Sequence, residues 1–152
     1  MWEEKMDTNV IVIEDCVNNW EEAIQCTAKE LYKKGYVKEE FARFCIEREK
    51  VFPTGLNTEI PIALPHTESQ YVNESSICFL RLKKPVDFVN MEDSEHYVAA
   101  QYVLNLAIKE SKKQVPMLAK VIETFQDVGF LNELSKKDLA EFESILRTRL
   151  SK

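Results

Sequence analysis

Val98-Ala99-Ala100-Gln101-Tyr102-Val103-Leu104-Asn105-Leu106-Ala107-Ile108 is the stretch whose reading decides the fold. Val98, Ala100, Tyr102, Leu104, Leu106 and Ile108 alternate with Ala99, Gln101, Val103, Asn105 and Ala107. A period of two is that of a strand with two opposed faces. The Ala and Leu content leaves a helix as the rival. Upstream lie two short apolar runs suited to buried strands, Ile60-Pro61-Ile62-Ala63-Leu64 and Ser76-Ile77-Cys78-Phe79-Leu80. Pro61 cannot donate to a ladder, which assigns it to a strand start or a sheet edge.

Helical periods flank this central region. Asn18 or Asn19 can cap a helix whose inner positions are Trp20, Ala23, Ile24, Thr27, Ala28 and Leu31, with Gly35 as its stop. A second helix is predicted from about Lys38 to Val51, with Phe41, Phe44, Cys45 and Phe52 inward and Pro53 closing it. Val10 to Ile13 is a β-branched run that reads as the first strand. Downstream, Ser111-Lys112-Lys113-Gln114 has the form of a capping box, ahead of an apolar face of Val115, Leu118, Ala119 and Ile122. Gly129 interrupts, and a last helix carries Leu139, Phe142, Ile145, Leu146 and Leu150. The order β-α-α-β-β-β-α-α predicts an α/β fold: one domain over 10–150 after a tail at 1–9, with a mixed sheet flanked by helices on both faces.

Composition narrows the function classes. Of 152 residues, 20 are Lys or Arg and 26 are Asp or Glu, a net charge of −6 that argues against a nucleic-acid footprint. The cysteines stand at 16, 26, 45 and 78 without a CxxC pair, and His66 and His96 are the only histidines, so no metal site is expected. The N-terminus is too acidic for a signal peptide, and no apolar run approaches a membrane span. A reduced, cytoplasmic protein without direct membrane insertion is expected.

The most distinctive local sequence is Pro53-Thr54-Gly55 followed by Ile62-Ala63-Leu64-Pro65-His66-Thr67-Glu68. Pro65 fixes its own φ and pushes Leu64 toward extended geometry, so His66 is stiffly placed at a strand end. A neutral imidazole there is a candidate nucleophile; the alternative is a loop histidine with a structural hydrogen bond. Arg48, on the same helix as Phe41, Phe44 and Cys45, either meets an anion at the core edge or forms a surface ion pair with Glu47 or Glu49. His96 lies in a polar stretch that reads as a solvated loop. There is no GxxxxGK[ST] or GxGxxG loop for a nucleotide and no nucleophile elbow for a serine triad.

Glu47-Arg48-Glu49-Lys50, Pro53-Thr54-Gly55-Leu56 and Ile62-Ala63-Leu64-Pro65-His66-Thr67 together resemble the enzyme IIA components of the bacterial phosphoenolpyruvate-dependent sugar phosphotransferase system. Within the fructose–mannitol superfamily the likeness is to the galactitol-type branch, where Thr follows the histidine. It runs from about Val10 to about Leu150 and includes Lys34-Gly35-Tyr36-Val37 and Leu82-Lys83-Lys84-Pro85-Val86-Asp87-Phe88. The resemblance implies that His66 accepts a phosphoryl group from phospho-HPr and passes it to a cysteine of a IIB partner, which serves a membrane IIC permease. It also places Arg48 near the phosphohistidine. Thr54 and Thr67 are further candidate donors to phosphoryl oxygens, and the scheme requires neither a cofactor nor a metal.

One position departs from the pattern. Mannitol-type relatives carry a second active-site histidine early in the helix after the long strand, where this chain has Lys109-Glu110-Ser111-Lys112-Lys113-Gln114-Val115. Gln114 is the nearest match, and it either donates to a phosphoryl oxygen or closes the capping box with Ser111. A regulatory protein of the same fold, signalling through phosphorylation-dependent partner binding, is the competing function. A metal-dependent hydrolase fails for lack of ligands.

Overall fold

In a computed structural model describing residues 8–150, the chain runs β1 (Asn9–Asp15), α1 (Trp20–Lys33), α2 (Phe41–Val51), β2 (Gly55–Leu56), β3 (Ile62–Ala63), β4 (Ser76–Val89), β5 (Tyr97–Ala107), α3 (Gln114–Gln126), α4 (Val128–Ser135) and α5 (Leu139–Leu150). Residues 1–7 of the expected tail fall outside the described residues, and Asn9 already pairs with Ser76. One mixed sheet has the order β1-β4-β5-β3-β2; β1 is parallel to β4, β4 antiparallel to β5, β5 parallel to β3 and β3 antiparallel to β2.

The decisive stretch is a strand, and its burial explains why it looked half helical. Over Tyr97–Gln101 only Val98 and Ala100 are buried, whereas every residue of Tyr102–Ala107 is buried. The inner half is covered on both faces, so its alternation is apolar against apolar. Val10, Val12, Ile77, Phe79, Tyr102, Leu104 and Leu106 pack against Met117, Val121 and Phe125 of α3, Leu131 and Leu134 of α4, and Phe142, Leu146 and Leu150 of α5. The alternate residues Cys78 and Ala107 meet Ile24, Leu31, Phe41 and Cys45 of α1 and α2. Helices on both faces of a mixed sheet are the expected architecture.

α1 starts at Asn19, whose side chain accepts from Glu22 N at 2.8 Å. It ends in a Schellman pair: Tyr36 N donates to Leu31 O and Gly35 N to Tyr32 O. Gly35 adopts φ 79°, which a side chain would disfavour.

Four readings of the sequence need correction. β4 continues past Leu80 to Val89, because a bulge between Arg81 and Val86 absorbs Pro85 and lets Val86 and Phe88 return to the core. Phe52 is not inward: it lies beyond α2 and is 59% exposed. The α3 face is rotated, since Met117, Val121, Thr124 and Phe125 are buried while Val115 is 75% exposed and Ala119 is also outside. Gly129 does not interrupt a helix; Asp127 makes the break by capping α4, and Gly129 sits in that helix's first turn. Among the described residues no helix is long and apolar enough to cross a membrane.

Candidate functional site

The site forms where the C-terminal ends of β3 and β5 meet the end of α2 and the start of α3. β3 is short, but its direction persists: Leu106 N donates to Pro65 O at 3.0 Å, and His66 bridges to Leu106 in parallel register. His66 is thus anchored to the central sheet by the residue before it. Its Nδ1 lies 2.8 Å from Leu64 O. A carbonyl only accepts, so Nδ1 carries the proton and Nε2 keeps the lone pair.

His66, Arg48, Gln114, Leu106, Ile108, Val115 and Leu118 line a cavity of about 170 Å³. Burial holds the His66 imidazole below its usual pKa, the Leu64 carbonyl opposes that, and the Arg48 guanidinium lowers it further. The ring is therefore neutral at pH 7. Arg48 makes no ion pair with Glu47 or Glu49: Glu47 pairs with Lys50 at 3.0 Å, and Glu49 turns inward. Arg48 Nε is buried and has no hydrogen-bond partner, the only such side-chain atom among the described residues. A buried donor left unsatisfied costs about 1–3 kcal/mol, and it sits in a guanidinium that stands 5.0 Å over the Phe52 ring. Such a donor is suited to an anionic acceptor.

Gln114 does not close a capping box: neither Glu110 nor Lys113 makes a side-chain cap bond, and Gln114 Nε2 donates to Thr67 O at 3.1 Å. The first turn of α3 is thereby tied to the segment after His66.

Arg48, His66 and Gln114 are thus brought together. Thr54 and Thr67 are both buried, and neither lines the cavity. The Thr54 hydroxyl donates to Glu49 and accepts from Leu64 N at 3.1 Å, while Thr67 contributes its carbonyl to Gln114. His96 is exposed and bonds Asp93 at 2.5 Å in the β4–β5 loop. Among the described residues no group of three or more His, Cys, Asp or Glu could hold a metal ion.

Sequence reasoning passed over Glu49, which is 6% exposed and accepts from Thr54 N at 2.7 Å and from its hydroxyl at 2.9 Å. The signal was legible: Phe41, Cys45 and Glu49 are spaced by four, and the first two were already assigned inward. Burial raises the Glu49 carboxyl to about 7, against the two Thr54 hydrogen bonds and Arg48, which lower it. Gly55 is required beside this pair, since a Cβ there would lie 2.6 Å from Val89 O.

The galactitol-specific EIIA component of Escherichia coli K12 is 32% identical over 114 residues, covering 74% of this chain and 75% of that protein. The multiphosphoryl transfer protein of Escherichia coli O157:H7 is 27% identical over 144 residues; the match takes in 93% of this chain but 17% of that longer protein. The transcriptional regulator ManR of Bacillus subtilis is likewise matched over 15% of its length. Among solved structures, mannitol IIA from Escherichia coli superposes with a TM-score of 0.72 at 23% identity, over 91% of this chain and 95% of that one. The Escherichia coli complex of mannitol IIA with phosphorylated mannitol IIB gives 0.62 at 24% identity, covering 95% and 85%. The family described as "Phosphoenolpyruvate-dependent sugar phosphotransferase system, EIIA 2" matches residues 4–148. Spanning nearly the whole sequence, that match assigns this chain to the EIIA type 2 family of the phosphoenolpyruvate-dependent sugar phosphotransferase system.

Proposed function

We propose that the chain is a cytoplasmic phosphocarrier whose His66 Nε2 accepts a phosphoryl group from phospho-HPr and passes it to a IIB cysteine. The observation that carries this reading is the pairing of Nδ1 with Leu64 O, which leaves Nε2 as lone-pair nitrogen in a cavity shared with the unsatisfied Arg48 Nε. In the first step Nε2 attacks phosphorus, the donor's nitrogen–phosphorus bond breaks, and the donor imidazole departs with its electron pair. In the second, the IIB thiolate attacks, a sulfur–phosphorus bond forms, and Nε2 recovers its lone pair. Neither step needs ATP. Such transfer leaves the protein chiefly positioning and charge stabilisation. Arg48 neutralises the equatorial oxygens and Gln114 lies within the same cavity to donate an amide N–H.

The mannitol IIA–phospho-IIB complex supports a IIB partner, through which a membrane IIC permease is served. The galactitol-specific relative supports a galactitol-like sugar alcohol as the transported class, read out by IIB and IIC. Exposed Val51, Phe52 and Val115 around the site suit the apolar part of a protein contact.

Incubation with enzyme I, HPr and phosphoenolpyruvate is expected to add the mass of one phosphate, in an acid-labile form, and His66→Ala is expected to abolish it. Equal labelling of the alanine variant overturns the assignment. Labelling without onward transfer to the galactitol-type IIB favours the regulatory alternative.

A further inference from the structure

We propose that Glu49 and Thr54 are positioning residues for phosphoryl acceptance: through Leu64 they hold His66 in the one tautomer that can accept at Nε2. This rests on His66 being the acceptor.

The chain of contacts is continuous and buried. Glu49 Oε2 accepts from Thr54 N at 2.7 Å, and the carboxylate accepts the Thr54 hydroxyl at 2.9 and 3.1 Å. With its hydrogen committed to Glu49, Thr54 Oγ1 presents lone pairs to Leu64 N, which donates at 3.1 Å. Leu64 O then accepts from His66 Nδ1 at 2.8 Å. Leu64 N and O flank one Cα, and Pro65 restrains that residue's ψ. Fixing the N–H therefore fixes where the carbonyl points. Glu49, Thr54 and Leu64 are all nearly inaccessible, at 6%, 5% and 0%.

The chemistry depends on this fixity. A neutral imidazole released from Leu64 O is free to carry its proton on Nε2, and that tautomer has no lone pair to offer phosphorus. The role resembles that of any group that orients a catalytic histidine without touching substrate. The carboxylate turns two acceptor oxygens toward the two Thr54 donors, whereas an amide in its place replaces one of them with an N–H2 donor. Burying a carboxylate against the cost of its desolvation is otherwise hard to account for, since an apolar residue would pack here at lower cost.

The variants are Thr54→Val, which keeps the shape and removes the hydroxyl, Thr54→Ser, which keeps the hydroxyl, and Glu49→Gln, which keeps the volume. Two readouts are taken at pH 8: single-turnover acceptance from phospho-HPr, and the 15N shifts of the His66 ring nitrogens. The expected result is a loss of about tenfold in the maximal rate for Thr54→Val and Glu49→Gln, with the half-saturating HPr concentration unchanged and the ring nitrogens moving toward averaged values. Thr54→Ser is expected within about twofold of wild type, since it keeps the same hydrogen-bonding group. A single Nδ1–H tautomer in Glu49→Gln, or equal losses for Ser and Val at position 54, overturns the proposal. The ring shifts need no phosphotransfer, so if even wild type fails to accept phosphate, the functional reading falls while the positioning inference is still judged. If Thr54→Val does not fold, Glu49→Gln with Thr54→Ser decides alone.

Discussion

Replacing Arg48 by Met separates its role in chemistry from any role in folding. The methionine retains an unbranched stem that can lie against the Phe52 ring, and it removes a guanidinium whose Nε is buried without a partner. A charge-assisted hydrogen bond to a phosphoryl oxygen is worth about 1.5–3 kcal/mol. At 1.36 kcal/mol per decade, the rate of acceptance should fall about 10- to 150-fold. Stability should move the other way or not at all. Removing an unsatisfied buried donor relieves about 1 kcal/mol, set against the loss of Arg48's favourable effect on the Glu49 carboxylate. Measuring at pH 6, below the Glu49 value of about 7, makes that loss small because the carboxyl is mostly neutral. A change of 1 kcal/mol corresponds to about 2–4 °C in Tm for a domain of this size. The assay is quench-flow transfer from labelled phospho-HPr alongside a thermal melt. A Tm drop beyond about 5 °C with transfer within twofold of wild type would refute the reasoning, because Arg48 would then hold the fold and not the phosphoryl group.

The remaining predictions concern titration and backbone. Because burial and Arg48 hold His66 below its ordinary 6.5, acceptance by Glu49→Gln, in which no buried carboxyl titrates near 7, should be lost as pH falls through a midpoint below 6.5, and adding Arg48→Met should move that midpoint upward. Glu49 rises from 4.5 to about 7 on folding, so the folded state binds the proton more tightly and wild-type stability falls as pH climbs between those values. Chemical denaturation of wild type and Glu49→Gln at pH 5 and pH 8 should therefore show a difference that changes by up to about 3 kcal/mol in favour of Gln at pH 8. Gly55→Ala should cost about 1–3 kcal/mol in a urea melt and slow acceptance, since its Cβ would meet Val89 O at 2.6 Å and push β2 away from the hairpin.

Where the fold was legible in sequence, one face of an element was apolar and the other was not. Ala23, Ile24, Thr27, Ala28 and Leu31 of α1 stand out because Glu22, Gln25 and Lys29 occupy the opposite side. α3 misled because apolar residues surround it: Val115 and Leu118 border the cavity beside His66, while Met117, Val121 and Phe125 enter the core. A helix with a second apolar edge has two candidate inner faces, and periodicity alone ranks them wrongly when the outer one lines a cavity. β4 was cut short for a related reason. Lys83, Lys84 and Pro85 break the alternation at a bulge, and only the register with Val86–Val89 on the far side shows that the strand resumes.

The site divides along a different line. His66 and Arg48 could be singled out because their residue types suit the chemistry and the motif around them is distinctive, and the structure sets both on one cavity. Gln114 had two readings in sequence, and neither contains the contact it makes: its Nε2 donates to Thr67 O across 47 residues, which no local pattern shows. Thr54 looked like a phosphoryl donor because a hydroxyl near a candidate nucleophile invites that role; its oxygen instead joins Glu49 to Leu64 N. Glu49 was hidden by its company, since a glutamate between Arg48 and Lys50 reads as surface charge until its spacing from Phe41 and Cys45 is followed inward. The two neighbours on α2 then divide the work by direction. Arg48 lines the cavity it shares with His66, and Glu49 faces the Thr54 loop. In the proposed transfer, an acidic chain with a net charge of −6 can in this way keep a positive pocket, because the Glu49 carboxylate next to Arg48 is occupied by Thr54.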